Sequence, residues 1–428
     1  MKVLVVGSGG REHSLVWKIS QSPKVDKIYC APGNAGIAEL AECVDIASDD
    51  INSLAGFALS HQIDLTVVGP ELPLVEGIVD LFESRGLRIF GPSRQAALLE
   101  GSKVFSKEIM LKYGVPTARA EIFSSFKKAR DYVQAKGAPL VVKADGLAGG
   151  KGAIVCHSLD QAQKAIEDIM QKKIFGESGN RILVEDCLFG EETSFIVFTD
   201  GENIVPMASS QDHKRIYDGD KGPNTGGMGA YSPAPMITKD LSEKIMQEII
   251  RPVINGLASE GKRYKGVLYA GLIITDEGPK VIEFNVRCGD PESQAVIPRL
   301  KNDLIDIIND IIDGRLSAGS LDWDERPCVC IVGASEGYPG SYKKGKLISG
   351  LQDLVSAKDI ILFHAGTKLS GQGVITDGGR VLGVTALGKD IKETIDKAYQ
   401  AIEKIDFEGI YYRKDIGYRA LERGAVKR

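Results

Sequence analysis

The stretch Val141-Val142-Lys143-Ala144-Asp145-Gly146-Leu147-Ala148-Gly149-Gly150-Lys151-Gly152 decides how this chain is read. An apolar run ends in Lys143. A glycine loop with a second lysine follows, and another apolar run, Ala153 to Cys156, closes the unit. Glycine carries no Cβ, so its N–H groups approach phosphate oxygens closely, and the lysines add charge. The P-loop spacing needs a glycine, four residues, Gly-Lys and then Ser or Thr opening a helix. Here Gly152 follows Lys151, and Asp145 stands where the first glycine should be. The pattern predicts a strand–loop–strand flap over a nucleoside triphosphate. The plain alternative is a hairpin tip with solvated lysines, since glycine and lysine are ordinary turn residues.

Around this loop the pattern predicts a small α/β unit, with helices over 126–136 and 159–172 and a strand over 181–185. Upstream, residues 1 to about 92 alternate apolar strands with amphipathic helices, which implies a buried parallel sheet whose ligands sit at the carboxyl ends of its strands. A helical connector is predicted over 94–113. Downstream, residues 191–325 read mostly as antiparallel strands with two long helices, including a hairpin across Asp276-Glu277-Gly278-Pro279. The last unit, 328–428, reads as strands, glycine turns and one helix over 391–405. The expected fold is α/β. An N-terminal doubly wound parallel-sheet domain (1–101) leads through a connector (102–122) into a central module of two α+β subdomains (123–190 and 191–325). A small C-terminal α+β domain (326–428) follows.

A length of 428 residues is too great for one core. The net charge of −5 gives no whole-chain pull toward nucleic acid or anionic lipid. No run of about 18 apolar residues marks a membrane span, and the start lacks the apolar core of a signal peptide. The seven cysteines sit mostly in apolar runs, so buried reduced thiols and a cytoplasmic address are expected.

Other segments carry chemistry. Gly7-Ser8-Gly9-Gly10-Arg11-Glu12-His13 follows a strand and opens a helix. A dinucleotide site is disfavoured there, because Glu12 holds the third glycine position and the second strand ends in Cys30-Ala31-Pro32 without a ribose-binding acid. What remains is a helix N-terminus with free N–H groups beside Arg11, a cradle for one phosphate monoester. Leu183-Val184-Glu185-Asp186-Cys187-Leu188-Phe189-Gly190-Glu191-Glu192 reads as a hinge offering backbone groups to an adenine edge and a carboxylate to ribose, or as a charged loop. In Val281-Ile282-Glu283-Phe284-Asn285-Val286-Arg287, Glu283, Asn285 and Arg287 alternate along a strand and share one face. The two oxygen donors suit Mg²⁺, and Arg287 can grip a carboxylate or phosphate. An exposed sheet face is the alternative. Asp212-His213-Lys214-Arg215 and the loop Gly222–Pro233 complete the set, the second as a lid or substrate seat. His213 is expected at the surface. No nucleophilic triad is visible.

These residues together resemble an ATP-grasp enzyme, and closely the glycinamide ribonucleotide synthetase family. The likeness runs in order through VLVVGSGGREH, APGN, VVGPE, VVKADGLAGGKG, QDHKR, PNTGGMGAYSP and EFNVRCGDPE. It implies a ligase that uses ATP with Mg²⁺ or Mn²⁺ to join glycine to 5-phosphoribosylamine. By that resemblance Lys143, Lys151, Gly149 and Gly150, helped by Lys103, would hold ATP phosphates. Glu185 and Leu188 would meet the adenine and Glu192 the ribose, and Glu283 and Asn285 would hold the metal. Gly10, Arg11, Asn34 and Glu71 would lie near phosphoribosylamine. Arg287, Asp290, Asp212 and Lys214 would face the substrates. Cys288 stands where the family commonly has a bulkier apolar residue. Tyr269-Ala270-Gly271-Leu272 lacks the carboxylate that many superfamily members carry on the preceding strand, so the resemblance does not extend to a full second metal site. A monomer or weak homodimer is expected, with small-molecule substrates and no nucleic-acid or membrane partner. The rival readings are another ATP-grasp ligase or carboxylase, a nucleotide-sensing protein without turnover, and a nicotinamide oxidoreductase.

Overall fold

The computed structural model describes residues 1–317, Gly319 and 321–426, the last three by backbone only. Strands β1 (Lys2–Gly7), β2 (Lys27–Pro32), β3 (Glu42–Cys43), β4 (Leu65–Val68) and β5 (Ile89–Phe90) form one parallel sheet in the order β3-β2-β1-β4-β5. Both faces are covered, as the unbroken apolar strands require. Val3 and Val5 pack with Leu15, Val16 and Ile19 of helix Gly10–Ile19. Leu4 and Val6 pack with Leu54 and Ala58 of helix Ile51–Ser60. This is the expected doubly wound unit.

Two helical stretches are each broken in two. The segment after β4 divides into Glu71–Glu76 and Ile78–Ser84 at Gly77, whose φ of 95° is left-handed and open to glycine at little cost. The connector divides into Arg94–Gly101 and Lys103–Lys112 at Ser102, whose hydroxyl accepts from Phe105 N at 3.1 Å.

The flap has its own sheet of β6 (Ala120–Phe123), β7 (Leu140–Ala144), β8 (Ala153–Cys156) and β9 (Ile182–Asp186), antiparallel in the order β6-β9-β7-β8. Its core, with Val133, Val142, Ile166 and Val184, is separate from the others. Facing it stands a second antiparallel sheet. This contains β10 (Glu191–Thr199) and β11 (Ile204–Pro206), then after the intervening β12 (Gln211–Asp212), β13 (Arg215–Tyr217), β14 (Lys221–Asn224) and β15 (Gly229–Ser232), also β16 (Gly266–Thr275) and β17 (Gly278–Asn285).

The third sheet crosses the chain's sequence order. In it β12 and β15 pair onward with β18 (Cys328–Ser335), which runs beside β22 (Arg380–Leu387) and β19 (Ile360–His364). The strands β20 (Thr367–Ser370) and β21 (Gly373–Thr376) make a separate hairpin, and β23 (Ile410–Tyr411) adds to β18. By hydrogen bonding, residues 211–232 thus belong with the C-terminal unit. That unit carries two helices, Ile391–Ile402 and Tyr418–Val426, where one was expected. All seven cysteines are free thiols. Among the described residues no helix is long and apolar enough to cross a membrane.

Candidate active site

One cavity opens between the flap sheet and the β10–β17 sheet. Lys103, Lys143, Gly149, Gly150, Glu185, Leu188, Glu192, Asp212, Lys214, Glu283, Asn285, Arg287, Glu71 and Asp290 all line it. The alternation read from the sequence holds, with Glu283, Asn285 and Arg287 facing the same space.

The floor is a buried charge cluster. Lys143 Nζ lies 2.7 Å from one oxygen of Glu185, and Lys107 Nζ 3.0 Å from the other. Lys143 also donates to Ile282 O at 2.8 Å, and Lys107 to Thr117 Oγ1 at 2.7 Å. Burial alone would push the Glu185 pKa up, but the two lysines hold it below the ordinary value. The Glu185 side chain is therefore occupied in setting Lys143. Beside it, Met110, Val141, Val155, Leu188, Ile273 and Phe284 line an apolar slot of the kind a purine ring fills. Asp145, the residue that spoiled the P-loop match, has a structural job. It accepts from Ser102 Oγ at 2.8 Å and Val104 N at 3.1 Å and pairs with Arg181 at 2.6 Å, so the flap loop is pinned to the connector.

The Glu283 side chain makes no hydrogen bond and no ion pair among the described residues. Burial would raise its pKa, yet Lys214, Lys103, Lys143 and Arg287 together keep it low and ionised. Asn285 Oδ1 accepts from Arg287 at 3.1 Å. An ionised acid ringed by cations that it does not touch, with an amide oxygen two residues on, is a donor set that fits a hard divalent cation. Among the described residues no group of three or more His, Cys, Asp or Glu gathers to hold a metal, so phosphate and water oxygens would complete such a shell.

One stretch of the cavity wall, at Asp212, Lys214 and Glu192, is acidic and basic together. Burial pushes the Asp212 pKa up to about 7 against the pull of Lys214. Lys214 is raised well above its usual value by Asp212 and Glu192, despite burial, and stands 3.5 Å from Glu192. Three groups here escaped the sequence reading. Glu100 accepts from Arg287 at 2.8 Å and from Val286 N at 2.7 Å, and burial pushes its pKa up to about 7. Glu292 accepts from Tyr269 OH at 2.6 Å and Ser194 Oγ at 3.0 Å, which brings a carboxylate to Tyr269, where the strand itself has none. Arg380 reaches in from the C-terminal unit to Asp290, 3.3 Å away, and to Gly226 O at 2.7 Å.

Two expectations are corrected, the free N–H groups of the first glycine loop and the exposed His213, and four of the expected site residues stand away from the cavity wall. The N–H groups of the first glycine loop are not all free, because Glu12 turns back to accept from Gly9 N at 2.6 Å and from Arg11 Nε at 2.5 Å. The acid that disfavoured a dinucleotide therefore caps its own helix. Gly10, Arg11 and Asn34 lie outside the cavity wall, with Arg11 directed to Glu71 at 4.0 Å and Asn34 donating to Ser8 O at 2.8 Å and His364 O at 2.9 Å. Lys151 does not join Lys143. Its Nζ donates to Pro339 O at 2.8 Å, across a groove to the C-terminal unit. His213, expected at the surface, is fully buried.

Two antiparallel sheets closing on a cation-lined cavity, one of them a glycine-tipped flap, define an ATP-grasp protein. A biotin carboxylase from Campylobacter jejuni shares this fold at a TM-score of 0.74 and 14% identity. The chain matches the Phosphoribosylglycinamide synthetase N domain over residues 1–100, its ATP-grasp (A) domain over 101–293 and its C domain over 328–419. It is 53% identical to the phosphoribosylamine–glycine ligase of Yersinia pestis over 428 residues, covering 99% of this chain and 100% of that one. It is 52% identical to the Caldanaerobacter subterraneus enzyme of the same name over 416 residues, covering 97% and 99%. The crystal structure of the Thermotoga maritima phosphoribosylamine–glycine ligase superposes with a TM-score of 0.84 at 30% identity, over 97% of this chain and 100% of that one. The chain belongs to the phosphoribosylglycinamide synthetase family.

Proposed function

We propose that this protein is an ATP-dependent ligase joining glycine to 5-phosphoribosylamine, giving glycinamide ribonucleotide, ADP and phosphate in purine biosynthesis. The observation that carries this reading is the convergence of Lys143, Lys103 and Lys214 on the unpaired Glu283 at the mouth between the sheets. A carboxylate resists amines because oxide is a poor leaving group. Transfer of the γ-phosphoryl group to glycine makes an acyl phosphate, which the amine of phosphoribosylamine attacks, breaking the C–O bond and releasing phosphate.

Lys143 and Lys103 would bind the triphosphate, with the glycine N–H groups of the flap closing over it. Glu283 and Asn285 would hold Mg²⁺ or Mn²⁺, which supplies charge neutralisation at the transferring phosphoryl group. Leu188 and the backbone beside Glu185 would seat the adenine, and Glu192 the ribose. Arg287, fixed by Glu100 and Glu71, would hold the acyl carboxylate or phosphate. Asp212, whose pKa burial pushes up to about 7, is suited to take the proton that the attacking amine sheds as the amide forms. Gly10, Arg11, Asn34, Glu71 and Asp290 would border phosphoribosylamine, and Lys151 would reach the phosphates after leaving Pro339. The protein is read as cytoplasmic, a monomer or weak homodimer, which light scattering during gel filtration checks.

The direct test is ADP release with each substrate omitted in turn. The reading expects turnover only with ATP, glycine and phosphoribosylamine together. ADP release supported by formate or bicarbonate in place of glycine would assign the chain to another ATP-grasp chemistry.

A further inference from the structure

Residues 212–214 alternate along an extended segment, so neighbouring side chains point to opposite sides. Asp212 and Lys214 face the cavity. His213 faces away from it, buried among Tyr231 and Tyr418, whose ring centroids lie 6.1 and 5.7 Å from its own. Its backbone is pinned on both sides, donating to Gly229 O at 2.9 Å and accepting from Met228 N at 2.8 Å.

The side chain has one hydrogen-bond partner. Nε2 accepts the N–H of Gly417 at 3.0 Å, so Nδ1 carries the proton of the neutral ring. That Nδ1 is buried and unpartnered, with Asp220 Oδ1 3.9 Å away, beyond hydrogen-bond reach. Asp220 itself is committed elsewhere, accepting from Arg413 at 2.8 Å and Tyr418 OH at 2.8 Å. The same C-terminal stretch grips the hairpin that follows His213. Arg413 donates to Arg215 O at 3.0 Å, and Asp415 accepts from Gly219 N at 2.8 Å.

We propose that His213 is a positioning residue, through which the C-terminal segment 411–419 fixes the strand that aims Asp212 and Lys214 at the reacting groups. The imidazole touches no cavity space, which separates it from the substrates by the thickness of the strand. It supplies the one acceptor that a buried Gly417 N–H finds, and so ties the end of the chain to the reacting end of the site. The inference rests on the proposed roles of Asp212 and Lys214.

The experiment compares His213→Leu, which removes the acceptor, with His213→Gln, whose amide oxygen can reach the place of Nε2. The enzyme is assayed for ADP release dependent on glycine and phosphoribosylamine. His213→Leu is expected to lower kcat about 10- to 100-fold, as small misplacements of reacting groups do, with KM for ATP unchanged. His213→Gln should recover most of the loss. A His213→Leu enzyme with wild-type kcat overturns the proposal. So does a folded His213→Gln as inactive as His213→Leu, since that pattern marks a proton carrier. If His213→Leu does not fold, Tyr399→Phe decides. Tyr399 OH donates to Arg413 O at 2.9 Å and accepts from Ile416 N at 2.9 Å, ordering the same segment without touching His213. A kcat lowered with KM for ATP unchanged supports the proposal, and an unchanged kcat overturns it. A wild type that releases ADP without glycine and amine would instead overturn the ligase reading, and this inference with it.

Discussion

Lys143 and Lys151 belong to one loop and stand in opposite conditions. The Lys143 side chain is 5% exposed, and its ammonium is locked between Glu185 at 2.7 Å and Ile282 O at 2.8 Å. Lys151 is exposed, and its ammonium rests on the carbonyl of Pro339 at 2.8 Å, in a different structural unit. The first is set before any ligand arrives. The second can trade a carbonyl for a phosphate at little cost, because its present bond is exposed to water. The contrast separates a preorganised floor from a movable tip.

The largest effects should come from breaking the floor. Lys143→Met leaves the buried Glu185 with Lys107 alone. It should destabilise the fold by about 3 kcal/mol and cut turnover more than about 1,000-fold, read by denaturant unfolding and ADP release. Glu283→Ala should abolish turnover with the fold intact, because no protein group is left unpaired, and circular dichroism with kinetics checks both halves. A stable and active Lys143→Met would erase the distinction between the two lysines.

Lys151→Ala comes next. It should lower kcat about 100-fold while Tm stays within about 1 °C, since an exposed bond contributes little. A Tm loss matching that of Lys143→Met would show that the tip is as structural as the floor. Smaller still is Tyr338→Phe. Its hydroxyl accepts from Gly226 N at 2.9 Å, next to the seat of Lys151, and its loss should change kcat by no more than about threefold.

A separate effect, on stability rather than turnover, concerns the packing between the N- and C-terminal units. His13 and His364 meet between the N- and C-terminal units, where the His364 N–H donates to His13 Nδ1 at 2.8 Å. Burial lowers their pKa values from 6.5 to about 3 and about 4. The unfolded chain therefore binds protons below pH 6.5 that the folded chain refuses, and stability falls as pH drops from 6.5 toward 4. Near pH 5.5 the loss is about 1 kcal/mol for each histidine. Asp212 and Glu100, both raised to about 7, act in the opposite sense and lose stability as pH rises toward 7. Comparing the Tm–pH slope of wild type with His364→Gln isolates the histidine part, which should flatten in the variant.

What could be read from the sequence follows the same division. The lysine loop and the row Glu283, Asn285, Arg287 were legible because glycine runs and period-two alternation are local signals. So was the parallel sheet, through its unbroken apolar strands. Glu100, Lys107 and Glu292 were not. Each is one charged residue of a helix with no local motif around it, and only contacts with residues far along the chain mark it out. The corrections at Glu12 and His213 have one origin. The loop N–H groups read as free and His213 as a surface residue, because their partners are set by the fold: Glu12 accepts from Gly9 N, and His213 accepts from Gly417 N, a residue 204 positions away. The seat of Lys151 was equally hidden, since the residue it touches lies in a unit read as separate.

The central claim is that Lys143, Lys151, Glu283 and Asn285 serve one triphosphate. A crystal structure with a non-hydrolysable ATP analogue and Mg²⁺ tests it most directly. The account predicts that Glu283 and Asn285 would hold the metal, with Lys143 on a phosphate and Lys151 released from Pro339 onto the same phosphates. Phosphates bound elsewhere, with Lys151 still seated on Pro339, would contradict it.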